Sequence, residues 1–115
     1  KDGNLKDDLM PFFVNLEKAG AEFGYRTASE MSRFVKICSD LADGAMTRDE
    51  VIDAAIMQKL LPKLHGSRKK LESILEELIK LCVNNDGPKY ALSHEKLNRM
   101  LHRVRENGFT SYAEA

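Results

Sequence analysis

TRDEVIDAAIMQKLLPKLHG, Thr47 to Gly66, is the stretch on which the reading of the chain turns. Val51, Ile52, Ala54, Ala55, Ile56, Met57, Leu60 and Leu61 are too many apolar positions for one stripe, so they predict a central helix covered on more than one side. Thr47 followed by Glu50 has the capping-box pattern, in which hydroxyl and carboxylate each satisfy an orphaned N–H at the helix start. Pro62 disfavours helix at Leu61 and lacks a donor, and Gly66 can take a left-handed turn, so the helix is expected to stop or kink near Leu61.

Outward from this element the periodicity predicts four more helices. Leu5, Leu9, Phe12, Phe13 and Leu16 recur at helical spacing, giving a helix from Asn4 to Ala19 in which Pro11 is expected to leave a kink or a split. Gly20 and Gly24 bracket a loop, and Thr27 with Glu30 forms a second capping-box pattern opening a helix to Leu41, with Met31, Phe34, Val35, Cys38 and Leu41 as its core face. Asp43 and Gly44 make the next turn. Beyond Pro62, Ser67 is placed to cap a long helix striped by Leu71, Ile74, Leu75, Leu78 and Cys82, which the turn residues Asn84 to Pro88 end. Ser93 is expected to cap a last helix carrying Leu97, Met100, Leu101 and Val104, closed by Gly108. The expectation is an all-α chain, about five helices packed as a small bundle, with no strand.

At 115 residues, 43% hydrophobic and 31% charged, residues 1–115 fit one helical domain. Eighteen Lys and Arg balance eighteen Asp and Glu, so any binding to nucleic acid or an anionic membrane must come from a local patch. No apolar run approaches the roughly 18 to 20 residues that span a bilayer, and no signal-peptide pattern follows the charged start, so a soluble protein without membrane partners is expected. The first residue is Lys rather than Met, which suggests a fragment or processed chain. Cys38 and Cys82 each fall on the apolar stripe of a predicted helix, as buried reduced thiols in a reducing, cytoplasmic compartment would.

The chain has no phosphate loop, no H-E-x-x-H and no Cys/His cluster at zinc spacing, so no metal site is expected. His65, His94 and His102 are scattered, and no pair of acids is forced together for proton transfer. Taken alone, the chain does not read as an enzyme. Two features stand out. Lys59, Lys63, His65, Arg68, Lys69 and Lys70 lie in a stretch with no acid between Asp53 and Glu72, and Ser67 to Lys70 sit at a predicted helix N-terminus, where N–H groups and dipole favour anions. Lys59, Lys63, His65, Ser67 and Arg68 thus form a candidate anion or partner patch, or a merely solvated basic face. The second feature is Phe23-Gly24-Tyr25-Arg26, where a cation in the first helical turn gains nothing from its own dipole and calls for an external partner, unless it is an ordinary surface Arg.

FGYR before the helix ASEMSRFV, then DEVIDAAIMQKLLPKLHGSRKKLE, and finally KLNRMLHRVRENGFTSY, resemble the C-terminal helical lid of McrB-like AAA+ ATPases and GTPases, the motor subunits of modification-dependent restriction systems. The resemblance covers Leu9 to Tyr112, with QKLLPKLHG as its most specific piece. It implies an AAA+ lid-like bundle that follows an α/β nucleotide-binding core and opens with a G-x-R element. Gly24-Tyr25-Arg26 match that element, so Arg26 is the implied sensor-2 residue reaching the terminal phosphates, with Phe23, Gly24 and Tyr25 beside the nucleotide. A preorganised guanidinium aimed at developing phosphoryl charge stabilises such a transfer. GTP or ATP with Mg would be bound by the longer parent and by none of the isolated chain, which lacks the phosphate loop and the metal-binding acid. The implied partners are the AAA+ core of the same chain, neighbouring subunits of a ring, an McrC-like nuclease subunit, and DNA only through the larger assembly.

The other class of reading is a free-standing helical adaptor that binds nucleic acid through the basic turn Gln58 to Lys70, as a helix-turn-helix would. Against it, the helix after that turn goes on to Glu72, Glu76 and Glu77, which would face phosphate unfavourably.

Overall fold

The computed structural model describes residues 2–20, 25–42, 44–113 and 115, and within these the side chains of all but residues 2–7, 25, 26, 28 and 42. Its helices are α1 (Asp2–Lys18), α2 (Tyr25–Ala42), α3 (Arg48–Ala55), α4 (Arg68–Leu81) and α5 (Ala91–Asn107). Four short strands join them: β1 (His65–Ser67), β2 (Val83–Asn84), β3 (Gly87–Pro88) and β4 (Phe109–Ser111). The chain is thus mostly helical, as expected, but the expectation of no strand is corrected by two small antiparallel pairs, β1 with β4 and β2 with β3.

α1 runs unbroken through Pro11. A proline inside a helix costs roughly 3 kcal/mol. Leu9, Phe12 and Leu16 are buried on both sides of it, each contributing roughly 1.5–3 kcal/mol, so the common apolar face outweighs the defect. The face continues to Ala19, where Gly20 leaves the helix with φ +75°.

The central stretch is covered on more than one side, with Val51, Ile52, Asp53, Ala55, Ile56, Leu60 and Leu61 all buried. Its start is as read: the Thr47 N–H donates to Glu50 Oε1 at 2.8 Å and the Glu50 N–H to Thr47 Oγ1 at 3.1 Å. Near Leu61, where a stop or kink is expected, the helix changes pitch. The helix widens into a π turn over Ile56–Leu60, in which the Leu61 N–H reaches back to the Ile56 carbonyl, and then tightens into a 3₁₀ turn over Leu61–Lys63. Pro62 accounts for the change, because its ring would press on the carbonyl four residues back in a regular helix, and a wider turn moves that carbonyl away. Gly66 does not end a turn. It lies within β1 at φ +145°, opposite Thr110, where a Cβ would come within 3.2 Å of Lys70 Cδ.

α4 is capped by Ser67, whose Oγ accepts the Lys70 N–H at 3.4 Å, and it packs Leu71, Ile74, Leu75 and Leu78 into the core. It gives way to the β2–β3 hairpin, whose turn is closed by Asn84 Oδ1 accepting the Asp86 N–H at 2.9 Å. α5 ends on Gly108 in the left-handed conformation at φ +80°. Its start corrects the expectation for Ser93, which lies inside the first turn. Asp53 of α3 supplies the cap instead: its carboxylate accepts the N–H of Leu92 at 2.7 Å and of Ser93 at 2.8 Å, while Ser93 Oγ donates to the Asp53 carbonyl at 3.2 Å. Asp53 is only 5% exposed, so its charge is compensated by those donors and the helix dipole.

α2 departs furthest from expectation. It begins at Tyr25, so Thr27 falls within the first turn rather than at the cap, and the capping box expected there does not set the helix start. Of the predicted core face only Met31 is buried; Phe34, Val35 and Cys38 are half-buried and Leu41 is 80% exposed.

Three outcomes test this packing. Ile56→Ala, at a fully buried position, is expected to destabilise by about 2 to 5 kcal/mol in denaturant titration. Asp53→Ala strands two donors that Asp53 holds and is expected to cost roughly 2 to 5 kcal/mol, although the side chain removed is polar. The two thiols are free, and burial, with the Asp53 charge adding to it, pushes the Cys82 thiol up to about 12. A raised thiol pKa keeps Cys82 protonated at pH 8, so a thiol reagent applied to native protein should label half-buried Cys38 and spare Cys82 until unfolding.

Candidate functional site

Of the Phe23-Gly24-Tyr25-Arg26 element singled out in the sequence, Phe23 and Gly24 lie outside the described residues, while Tyr25 and Arg26 form the first turn of α2. The side chains of Tyr25 and Arg26 are not described. What fixes that turn is the next stretch of the helix, where Thr27 and Met31 are buried and hold it on the domain. Arg26 therefore rides on a helix of 18 residues that buried Thr27 and Met31 and partly buried Phe34 and Val35 hold against the core.

The candidate patch on the basic turn is drawn in two directions. Lys59, in the π turn, places Nζ 5.6 Å from the centre of the Phe34 ring on α2, a cation–π contact. Arg68, at the start of α4, donates from Nε to Glu72 at 3.0 Å, and Glu72 also accepts from Arg105 Nε of α5 at 2.7 Å. Arg105 continues to Glu76, so two arginines and two carboxylates bridge α4 and α5. The Arg68 and Arg105 guanidiniums hold the Glu72 carboxyl below the usual carboxylate range. Lys63 ends the 3₁₀ turn half-buried, and His65 and Ser67 are exposed on β1.

The anion-binding capacity of the α4 N-terminus is partly spent within the fold. The Arg68 N–H donates to the Gly108 carbonyl at 2.9 Å and the Lys70 N–H to Ser67 Oγ at 3.4 Å. These are two of the four N–H groups, Ser67 to Lys70, that have no partner within the helix. What remains at this end is the positive charge of Lys63, Lys69 and Lys70 rather than a cradle of amides.

Three features lay beyond sequence reasoning. Asp53 carried no signal of its capping role, because its partners lie some 39 and 40 positions away. Lys96 is buried on α5, where Nζ donates to the Ala115 carbonyl at 3.0 Å and lies 4.5 Å from the centre of the Tyr112 ring. Desolvation lowers the pKa of that amine, with the nearby Arg99 charge adding to it. The third feature is the β1–β4 ribbon, whose strands of three residues are too short for alternation to register. An open groove along α5, lined by Glu95, Asn98, Arg99, His102 and Arg103 with Ala115 at its end, mixes both signs of charge and brings no nucleophile beside a base. Among the described residues no group of His, Cys, Asp and Glu could hold a metal ion, and no helix is long and apolar enough to cross a membrane.

A family described as a domain of unknown function, DUF8727, matches residues 2–109, which take in every helix and β1 to β3. No curated protein and no solved structure matches the chain.

Proposed function

The chain belongs to the DUF8727 family, and we propose that it is the helical lid of an McrB-like AAA+ nucleoside triphosphatase. On this reading it closes over GTP or ATP held with Mg by an α/β core in the longer protein. It relays hydrolysis to the motion of neighbouring ring subunits in a cytoplasmic DNA restriction or related defence system, with an McrC-like nuclease as a further partner.

The observation that carries this reading is the state of α2. Behind the Tyr25-Arg26 turn the helix shows an apolar stripe, Phe34, Ile37, Cys38 and Leu41, of which Ile37 is 49% and Leu41 80% exposed. Phe34 packs partly on the core, and the apolar surface left open beyond it at Ile37 and Leu41 supports a face that works against another domain. A lid docked on a nucleotide-binding core would cover it and would carry Arg26 to the bound phosphates. The segments on which the resemblance rests also meet in the fold, since the end of QKLLPKLHG pairs with GFTS through β1 and β4.

The test is made in the longer protein and in the isolated chain together. Arg26→Ala is expected to lower hydrolysis about ten-fold or more, roughly 1.4 kcal/mol of transition-state stabilisation, and Arg26→Lys to recover only part, because a point charge does not replace a planar fork. The same Arg26→Ala change is expected to leave the melting temperature of the isolated chain nearly unchanged. Unaltered hydrolysis, or unfolding of the isolated chain, would show Arg26 to be structural and leave the α2 stripe to an adaptor role.

A further inference from the structure

Charge balances over the whole chain but not along it. Residues 54–71 carry Lys59, Lys63, His65, Arg68, Lys69 and Lys70 without one carboxylate, and residues 107–113 carry none either. The β1–β4 ribbon brings these two stretches side by side, with His65 opposite Ser111, Gly66 opposite Thr110 and Ser67 opposite Phe109. Strand alternation turns Gly66 and Thr110 inward, where Thr110 is fully buried, and leaves His65, Ser67 and Phe109 exposed. The Arg68 N–H, bound to the Gly108 carbonyl at 2.9 Å, fixes Phe109 beside the start of α4.

Phe109 is 48% exposed on an otherwise polar ribbon. Burial accounts for only part of it, and the exposed part is aromatic surface open to a ligand. The first carboxylate of α4, Glu72, is already engaged by Arg68 and Arg105, so it does not cancel the charge of Lys63 and Lys69. We propose that this face of the ribbon binds an unpaired polynucleotide, one base stacking on Phe109 while Lys63, Lys69 and the His65 edge meet the adjoining phosphates.

An exposed aromatic residue paired with a strand that Lys63 precedes and Lys69 follows by two positions suits the alternation of base and phosphate along a single strand. An acidic peptide offers the charge without a π surface to stack. A duplex keeps its bases stacked on one another, and a ribbon of three residues a strand, about 10 Å long, is too short to span and read a groove. The proposal concerns a surface apart from the α2 turn and does not depend on the lid reading.

Fluorescence anisotropy on the isolated chain with labelled oligothymidylate and oligouridylate of about 15 nucleotides, and a duplex of equal length, tests it. Saturable binding of one or both single strands, tighter than to the duplex, is expected, and the two single strands show whether DNA or RNA is preferred. Phe109→Leu, which keeps apolar bulk, should weaken binding about ten-fold or more at every salt concentration without altering the salt slope. Lys63→Gln with Lys69→Gln should reduce the slope of log K against log salt by about 1.4. The chain contains no tryptophan, so the indole introduced by Phe109→Trp gives a direct signal, which stacking should quench. No saturable binding at low salt, equal affinity of Phe109→Leu, tighter binding of the duplex, or displacement by polyglutamate as readily as by oligothymidylate would each overturn the proposal.

Discussion

The carboxylate of Asp53 on the first N–H groups of α5 is the contact on which the arrangement of helices depends. Nearly buried, the charge would be prohibitively costly alone, and it is tolerated because the Leu92 and Ser93 donors and the dipole of α5 meet it. Those donors would otherwise be orphans, so a single contact removes two costs at once. Further contacts gather at the same place. The Cys82 carbonyl, at the end of α4, accepts the N–H groups of Lys89 and Tyr90 at 2.7 and 3.1 Å. Tyr90 sets its ring 6.0 Å from Phe12 of α1. The start of α5 is thus tied to α1, α3 and α4, and α2 is the helix left out of the knot.

What could be read from sequence divides along the range of the interactions. The capping box at Thr47 formed because both of its partners lie within one turn. The same pattern at Thr27 misled because the helix had already begun at Tyr25. Ser93 misled for a different reason: an acid on another helix took the capping role, and no local pattern records that. The β1–β4 ribbon was illegible because three residues a strand give no periodicity, and its pairing joins segments from either side of α4 and α5. Pro62 correctly marked a disturbance, but a proline does not say whether the helix stops or changes pitch. Here the burial of Leu60, Leu61 and Leu64 keeps the chain coiled through it.

The stripe on α2 shows a further limit. Periodicity identified Met31, Phe34, Val35, Cys38 and Leu41 as one face, and they are one face, but amphipathicity states that a surface is to be covered without stating by what. Only its first part is covered within this chain. The place of Arg26 in the first turn of that helix was legible, whereas periodicity and capping carry no information on what its side chain would meet, and a role at a nucleotide is implied by the resemblance alone.

The basic turn shows how a fold can change the meaning of a run of like charge. In sequence Lys59 to Lys70 reads as a single patch, but the π turn carries Lys59 to the Phe34 ring while Glu72 draws Arg68 towards Arg105. The same fold adds what the run did not contain, since β4 places an exposed aromatic ring opposite Ser67. A neutral chain can therefore hold a locally cationic surface with an apolar platform where the acids nearest in sequence are engaged by other groups: Asp53 at a helix start, Glu72 and Glu76 by arginines of α4 and α5. The segregation is a product of tertiary pairing, which is why net charge excluded so little about what the surface can bind.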